Sequence, residues 1–409
     1  MPNPAYLVMV TAGNNHNKFY RMTPQGATFV AEYGRIGNAG VQRRTYPISQ
    51  FESKYNEKIC KGYTDQTHLV ADLITKEQPK QSGYKPIENA DVASIVDRLQ
   101  QMAHRAILDN YTISANKVTQ KMVDTAQTCL SILLACQTVG DFNETLIDLF
   151  RVIPRKMGRV ADYLADSKEQ FAGIIQREQD LLDVMRGQVV QRQTEAEPEE
   201  THNDTAPQKT ILDALGLAFA PAAADDVIKI KSCLGSCAGR FKQAWRVTNQ
   251  KTQARFDAFL NGQGRSIETK LLWHGSRNEN WWSIVNSGLV LRPTNAVITG
   301  KMFGYGIYFA TKARKSLGYT SLSGSYWARG SSRTAFMALY LVAYGTPMDV
   351  YSFEGRFSRF NYAELQKAKP GAHCLHAHAG RMLKNDEIIV YQEEQTTIQY
   401  LVELEQLYG

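Results

Sequence analysis

Three short runs carry side chains capable of chemistry at the ends of apolar, strand-like stretches: LLWHGS at 271–276, GYGIYFATKARKSLGYT at 304–320 and NDEIIVYQ at 385–392. They offer an imidazole (His274), tyrosines (Tyr308, Tyr319), a lysine and a serine (Lys315, Ser316) and a carboxylate (Glu387). Several chemistries are excluded by spacing. No Cys, Asp or Glu stands near His274 in the sequence to make a local metal cluster, and Ser276 lacks the flanking glycines of a nucleophile elbow. Gly304 and Gly306 have no third glycine at dinucleotide-loop spacing and no surrounding βαβ unit. Cys233 and Cys237 form CLGSC, and HCLHAH (373–378) is metal-like in composition. A zinc site from these would need four ligands converging from distant segments. Small core cysteines and a polar loop account for them instead, and no metal is expected.

The elements that must position these residues fall into segments. At 409 residues the chain is long enough for two or three domains with cores of their own. A hydrophobic fraction of 43% and a charged fraction of 21% are those of a globular protein, and no apolar run reaches membrane-spanning length. The start, MPNPAYLVMVTAG, lacks a basic region ahead of its apolar stretch, so no secretory signal is expected. Six scattered cysteines read as reduced thiols of an intracellular protein.

Residues 1–85 alternate short β-rich runs (YLVMVTA, FYRMTP, GATFVAEYGRIG, VQRRTYPI) with Gly and Asn turns, which predicts a small antiparallel sheet. In ISQFESKYNEKICKGYTD, Phe51, Tyr55 and Ile59 recur every fourth residue, which predicts a helix packed by one face. This segment holds eleven Lys and Arg against six Asp and Glu, a balance that favours a polyanionic partner. Residues 86–193 change to long helical patterns, interrupted at FRVIPRKMG because Pro154 cannot sit inside a helix. The acidic stretch 194–208 reads as a linker. From 209 to 409, KLLWHGS, GIYFA, AFMALYLVAYG, EIIVYQ and IQYLVELEQL predict an α+β domain with antiparallel sheets.

Singly, each reactive residue reads as ordinary packing; the three runs in this order carry more. HGS, GIYFA and an acidic residue before IVY resemble the catalytic domain of the poly(ADP-ribose) polymerase family, whose His, Tyr, Glu triad falls on His274, Tyr308 and Glu387. Tyr33-Gly34-Arg35 is similar to the WGR domain that precedes it in DNA-responsive members, and LIDLFRVIPRKMG looks like their regulatory helical domain. The resemblance implies an α+β multidomain chain: a small antiparallel WGR-like nucleic-acid-binding module, an all-α helical bundle and an antiparallel-sheet ADP-ribosyltransferase domain. It implies NAD+ as substrate without a metal, activation by DNA strand breaks, and transfer to protein acceptors including the enzyme itself. No membrane is implied, and a eukaryotic source would place the protein in the nucleus.

The same resemblance assigns roles. Breaking the bond between ribose and the positively charged nicotinamide calls for positioning and electrostatics rather than a metal. Backbone groups of Gly275 and the Ser316 hydroxyl would hold the carboxamide, and Tyr308 and Tyr319 would sandwich the ring. His274 would bind the adenine-side ribose, with Ser276 at the same end. Glu387 would hold the nicotinamide ribose, favour developing positive charge and polarise an acceptor hydroxyl. Met302 and Lys315 match the acceptor side. Tyr33, Arg35, Lys18, Arg43 and Arg44 would contact nucleic acid.

The chain also departs from the family's pattern. Only fourteen positions separate His373 from Glu387, so single-unit transfer stands as the alternative to polymer synthesis. SLSGSYWARGSSR follows Tyr319 as an added surface loop, and Tyr33 replaces a tryptophan. A non-catalytic scaffold binding nucleic acid and NAD+ or ADP-ribose is the competing reading; Glu387 discriminates, since a scaffold has no need of it. Trp281 and Trp282 are expected in the core.

Overall fold

The computed structural model describes residues 2–36, 40–69, 84–111, 118–196, 209–263, 266–291, 302–381 and 383–407. They divide into two compact units: Met1–Gln81 with His104–Arg192, and Ser82–Ala103 with Gln193–Gly409. Residues 86–103, the start of the expected helical segment, thus group with the C-terminal part of the chain rather than with the other helices. From residue 197 on, the acidic linker lies outside the described residues.

The first unit opens with strands β1 (Ala5–Thr11), β2 (His16–Gln25), β3 (Thr28–Arg35), β4 (Gln42–Pro47) and β5 (Thr64–Asp65), in the order β4-β3-β2-β1-β5. All the pairings are antiparallel. The tight β2–β3 turn places Gly26 at φ +61°, a conformation that glycine adopts at least cost. Register puts Leu7, Tyr20 and Tyr33 side by side, and Ala5, Met22 and Ala31 likewise. Their common face is covered by helix α1 (Phe51–Cys60) through Phe51 and Tyr55. Ile59, expected on that same face, is exposed.

The helices are α2 (Ala90–Asn110), α3 (Gln120–Leu133), α4 (Val139–Val152) and α5 (Phe171–Ala196). Thr119 and Thr138 cap α3 and α4 by accepting from the amides of Met122 and Asp141, which satisfies donors that the helix start leaves open. Helix α4 stops at Val152, two residues before Pro154. The released chain turns Arg155 inward, where its guanidinium pairs with Glu178, donates to the Asn110 carbonyl at 3.0 Å and lies over the Tyr111 ring. Both partners of that ion pair are only 2% exposed.

The second unit is built on nine strands: β6 (Leu217–Pro221), β7 (Phe241–Asn249), β8 (Thr269–Gly275), β9 (Ile307–Ala310), β10 (Thr334–Ala343), β11 (Pro347–Val350), β12 (Cys374–Ala377), β13 (Glu387–Val390) and β14 (Thr396–Glu405). Their order is β11-β12-β13-β9-β8-β10-β14-β7-β6. The pairings are antiparallel as expected, except that β11 and β12 run parallel. Between them the chain crosses over through α11 (Tyr362–Ala368), the connection a parallel pair needs. Central β10 is buried nearly throughout because both its faces are covered, which is why AFMALYLVA reads as a continuous apolar run. Around the sheet lie α6 (Ile211–Leu215), α7 (Ala224–Leu234), α8 (Gln250–Gly262), α9 (Trp281–Ser287) and α10 (Ala313–Leu317). Trp281 and Trp282 are fully buried in α9, as expected. Arg98 of α2 grips the buried Glu403 of β14 with both terminal nitrogens, at 2.6 and 3.0 Å, and Lys242 reaches the same carboxylate. Among the described residues no helix is long and apolar enough to cross a membrane.

Removing one member of a buried ion pair leaves the other charge uncompensated. Glu178→Ala should therefore destabilise the first unit by about 3–5 kcal/mol. Urea unfolding followed by circular dichroism checks it, and a loss under about 1 kcal/mol would mean that Arg155 finds another partner or is hydrated.

Candidate active site

Strands β13, β9 and β8 are neighbours in the sheet, so the three reactive runs meet although more than a hundred residues separate the first from the last. Register places Glu387 opposite Ala310, Ile389 opposite Tyr308, and Trp273 opposite Ala310. Side chains two apart on a strand share a face, so Glu387 and Tyr308 lie on one side of the sheet.

Glu387, at the head of β13, is 4% exposed. Its Oε1 lies 2.6 Å from Nζ of Lys315 on α10, and its Oε2 is buried with no hydrogen-bond partner among the described residues. Burial pushes the carboxyl pKa up, while the hydrogen bond and charge of Lys315 pull it down; the net shift is upward. The carboxylate also acts outward: the phenols of Tyr308 and Tyr319 are raised first by burial and further by its charge.

Lys315 can reach Glu387 only if α10 lies close against β8. A Cβ on Gly275 would stand 2.0 Å from the Ser316 carbonyl oxygen, so glycine is the one residue that allows the approach. Ser316 is buried and donates its hydroxyl to the Trp273 carbonyl at 3.0 Å, fastening the helix to the strand. The other wall depends on the GYG run. Gly304 has φ +73°, and a Cβ there would meet the Phe360 backbone at 2.1 Å, while Tyr391 donates to the Phe303 carbonyl at 2.7 Å. That loop fixes Tyr308, whose hydroxyl donates to the Gly304 carbonyl and accepts from the Phe303 amide, both at 3.0 Å. Met302 packs on the same apolar cluster.

His274 ends β8. Its Nδ1 lies 3.0 Å from the Tyr308 carbonyl oxygen, and its ring packs edge-on to Trp281, Phe309 and Tyr340. It is thus joined to Tyr308 through the backbone, with its ring on the Phe309 side of the strand. Ser276 accepts from the Asn280 side chain at 3.0 Å. Sequence reasoning missed one neighbour, Trp327. The run 321–333 does form a surface loop with Tyr326 and Trp327 exposed. The amides of Trp327 and Ala328 both donate to the Gly318 carbonyl, however, and the indole stacks on Tyr319. An exposed tryptophan in an otherwise small, polar stretch was the available signal.

In the first unit, Tyr33 stacks on Tyr20 at 5.3 Å. Arg43 and Arg44 are exposed on β4, and alternation turns them to opposite faces. Lys18 sits opposite Arg35 on β2. Arg35 is already engaged: its guanidinium donates to the Asn15 and Gly158 carbonyls at 2.7 and 2.8 Å. CLGSC contributes Cys237 to the core, with Cys233 packed against the same cluster, and all six thiols are free.

Two stretches of the chain match known domain families. Residues 236–406 match the description "Poly(ADP-ribose) polymerase catalytic domain", and residues 3–70 match "WGR domain". A putative poly [ADP-ribose] polymerase-like protein, 100L, of Invertebrate iridescent virus 6 is 31% identical over 166 residues, which cover 39% of this chain and 83% of the viral protein. The chain belongs to the poly(ADP-ribose) polymerase family. Poly [ADP-ribose] polymerase 2 of Zea mays is 22% identical over 391 residues, which cover 83% of this chain but 57% of the maize protein. The polymerase of Drosophila melanogaster is 31% identical over 185 residues, 40% of this chain and 18% of the fly protein. Curated members such as these two are therefore considerably longer than the part that this chain spans.

Gly275→Ala must push α10 away from β8, and Lys315 and Ser316 with it. NAD+ affinity should fall at least about tenfold, which is roughly 1.4 kcal/mol. Calorimetric titration with NAD+, beside a melting curve to establish that the variant is folded, tests this; unchanged affinity in a folded variant would show that the close approach does not shape the substrate site.

Proposed function

We propose that this chain cleaves NAD+ and transfers its ADP-ribose to protein acceptors, itself included, as a polymer-forming enzyme stimulated by DNA strand breaks. The observation that carries the reading is Glu387: a buried carboxylate with one oxygen on Lys315 and the other unpartnered among the described residues. A buried acceptor without a donor costs about 1–3 kcal/mol, so its retention points to a ligand hydroxyl as the missing partner.

NAD+ fits the residues present. Gly275, with no side chain of its own, would offer its backbone amide and carbonyl to a flat carboxamide, and Tyr308 and Tyr319 lie near enough to Glu387 for its charge to raise their phenol pKa values. As the bond to nicotinamide breaks, positive charge develops on the ribose, and the ionised Glu387 stabilises it in a water-poor site where a fixed charge acts strongly. The same carboxylate, with a pKa held above the usual range, can accept the proton of an incoming hydroxyl. His274, anchored on the Tyr308 carbonyl, would hold the adenine-side ribose with Ser276 beside it, and Met302 and Lys315 would face the acceptor.

The WGR domain supports the DNA arm. Exposed Arg43 and Arg44, with Lys18 and the aromatic face of Tyr33, supply cations and a stacking surface. Arg35, which bonds the carbonyl of Gly158, would connect this module to the segment after Pro154. A DNA partner places the protein in the nucleus of a eukaryotic cell. A second reading, transfer of single units, is favoured by one feature: the connection between β12 and β13 is short, running only from His378 to Asp386.

One gel separates these readings. The full chain incubated with labelled NAD+ should label itself, more strongly with nicked DNA, and give a ladder; one discrete band would favour single-unit transfer, and no labelled product the scaffold. Glu387→Gln should keep NAD+ binding and lose elongation, whereas His274→Ala should weaken binding. Polymer of the original length made at the original rate by Glu387→Gln would remove the catalytic carboxylate from the scheme.

The pH dependence has a defined sign. The ionised form of Glu387 is the active one, so activity rises with pH through its pKa, and Lys315 is what holds that pKa down. Lys315→Met should move the acid limb of kcat/KM to higher pH by about one unit or more. A limb that stays in place, or moves to lower pH, would assign the titration to another group.

A further inference from the structure

The face of the sheet opposite Glu387 carries a second cluster of chemical groups. His376 lies in β12 and His378 directly follows its last residue, Ala377; the two stacked rings lie to one side while Ala377, which pairs with Glu387, points to the other. Asp349 of the edge strand β11 is in register with His376 and on the same side. Its Oδ1 lies 2.8 Å from Nε2 of His378, and Asp386, just before β13, brings Oδ2 to 3.4 Å from Nε2 of His376. The two imidazoles stack at 3.8 Å between centroids, and one ligand atom from each of Asp349, His376 and His378 lies within 4.8 Å of the others. Among the described residues no other group of this kind occurs.

We propose that Asp349, His376 and His378, with Asp386 as fourth ligand, form a binding site for a divalent transition ion of the zinc class, separate from the NAD+ site. Two imidazoles and two carboxylates are a donor set suited to zinc, and with neutral rings the four groups carry two negative charges. The surroundings supply what such a site needs behind its ligands. The Tyr344 hydroxyl lies 2.9 Å from Nδ1 of His376, so that nitrogen is occupied and Nε2 faces Asp386. The Ala379 amide donates to Oδ1 of Asp386 at 2.7 Å, which orients that carboxylate and leaves Oδ2 toward the cluster. Tyr351 stacks on the other side of the His378 ring at 4.5 Å. Lys270, the cation over the Tyr344 ring, is paired with Glu268 instead of filling the cluster. Ligand atoms around a tetrahedral ion with bonds of about 2.0–2.1 Å stand roughly 3.3 Å apart, so binding requires His378 and Asp349 to rotate inward and Asp386, which meets only His376 of the other three, to swing in further. The ion would join β11, β12 and the residue before the catalytic carboxylate, closing an exposed sheet edge.

The test uses the purified full chain dialysed against chelator and then titrated with zinc chloride or cobalt chloride. One zinc per chain should bind with micromolar or tighter affinity, the thermal midpoint should rise as zinc is added, and cobalt should give the intense visible absorption of a tetrahedral site. His378→Ala should weaken zinc binding at least about 100-fold and abolish the cobalt spectrum, by analogy with the loss of a ligand or its orienting partner. Asp349→Asn, a milder change at an exposed position, should weaken it at least about tenfold and tests the site if the histidine variant does not fold. Absence of stoichiometric zinc at 100-fold molar excess over about 1 µM protein would overturn the proposal, leaving two His–Asp hydrogen bonds. So would zinc retained equally by both variants, which would assign the metal to the free thiols.

Discussion

A carboxylate buried at the head of a strand sets the terms for the catalytic domain. Burial disfavours the charge of Glu387 and pushes its pKa up, and a nearby cation offsets part of that. Lys315 supplies the charge, and its placement propagates outward. It needs α10 lying against β8; that contact needs a residue without a side chain at Gly275; and the hydroxyl of Ser316 then holds the helix to the Trp273 carbonyl. On the opposite wall Gly304 closes on the Phe360 backbone so that Tyr308 is held by two hydrogen bonds at its hydroxyl. The two glycines act through space that is absent: each marks a place where backbone passes backbone too closely for a Cβ.

The same physics is used elsewhere for a different end. Arg155 with Glu178 in the first unit, and Glu403 gripped by the partly exposed Arg98 and Lys242 in the second, put buried charges where their atoms are occupied by partners. Satisfied networks of this kind fix one arrangement of the elements that they join. Glu387 differs from Glu403 in two respects: its Oε2 has no partner among the described residues, and its pKa is raised where that of Glu403, held by two cations, is lowered. Burial and an ion pair are therefore common to these carboxylates, and the vacant acceptor is what sets Glu387 apart from Glu403 in hydrogen bonding.

Much of this was legible in the sequence because the responsible signals are local. The alternation of β1–β4, the helical periods from Ala90 onward, the break at Pro154 and the three reactive runs each rest on residues within a few positions of one another. What escaped depends on pairings between distant segments. The parallel β11–β12 pair cannot be inferred from PMDV and CLHA alone, since four residues carry no direction. The packing of the start of α2 with the catalytic unit turns on Arg98 meeting Glu403, about three hundred residues away. HCLHAH was visible as a composition, but the carboxylates beside its histidines, Asp349 from β11 and Asp386 from just before β13, come from distant segments. Trp327 was read as part of a surface loop, correctly, while its stacking on Tyr319 depends on how that loop folds back over Gly318.

The arrangement also bears on the choice between an enzyme and a scaffold. A domain that only held NAD+ or ADP-ribose would need shape, aromatic faces and hydrogen bonds to ribose, and a glutamine at position 387 could donate or accept such bonds without a buried negative charge. The glutamate raises the cost of the folded state, and Lys315 reduces that cost without removing it, since the carboxyl still titrates above its ordinary range. In the proposed reaction such a charge acts where positive charge develops or a proton is taken, during bond breaking and transfer rather than in a bound complex. On that proposal the electrostatics of Glu387 suit a transition state better than a ligand at rest.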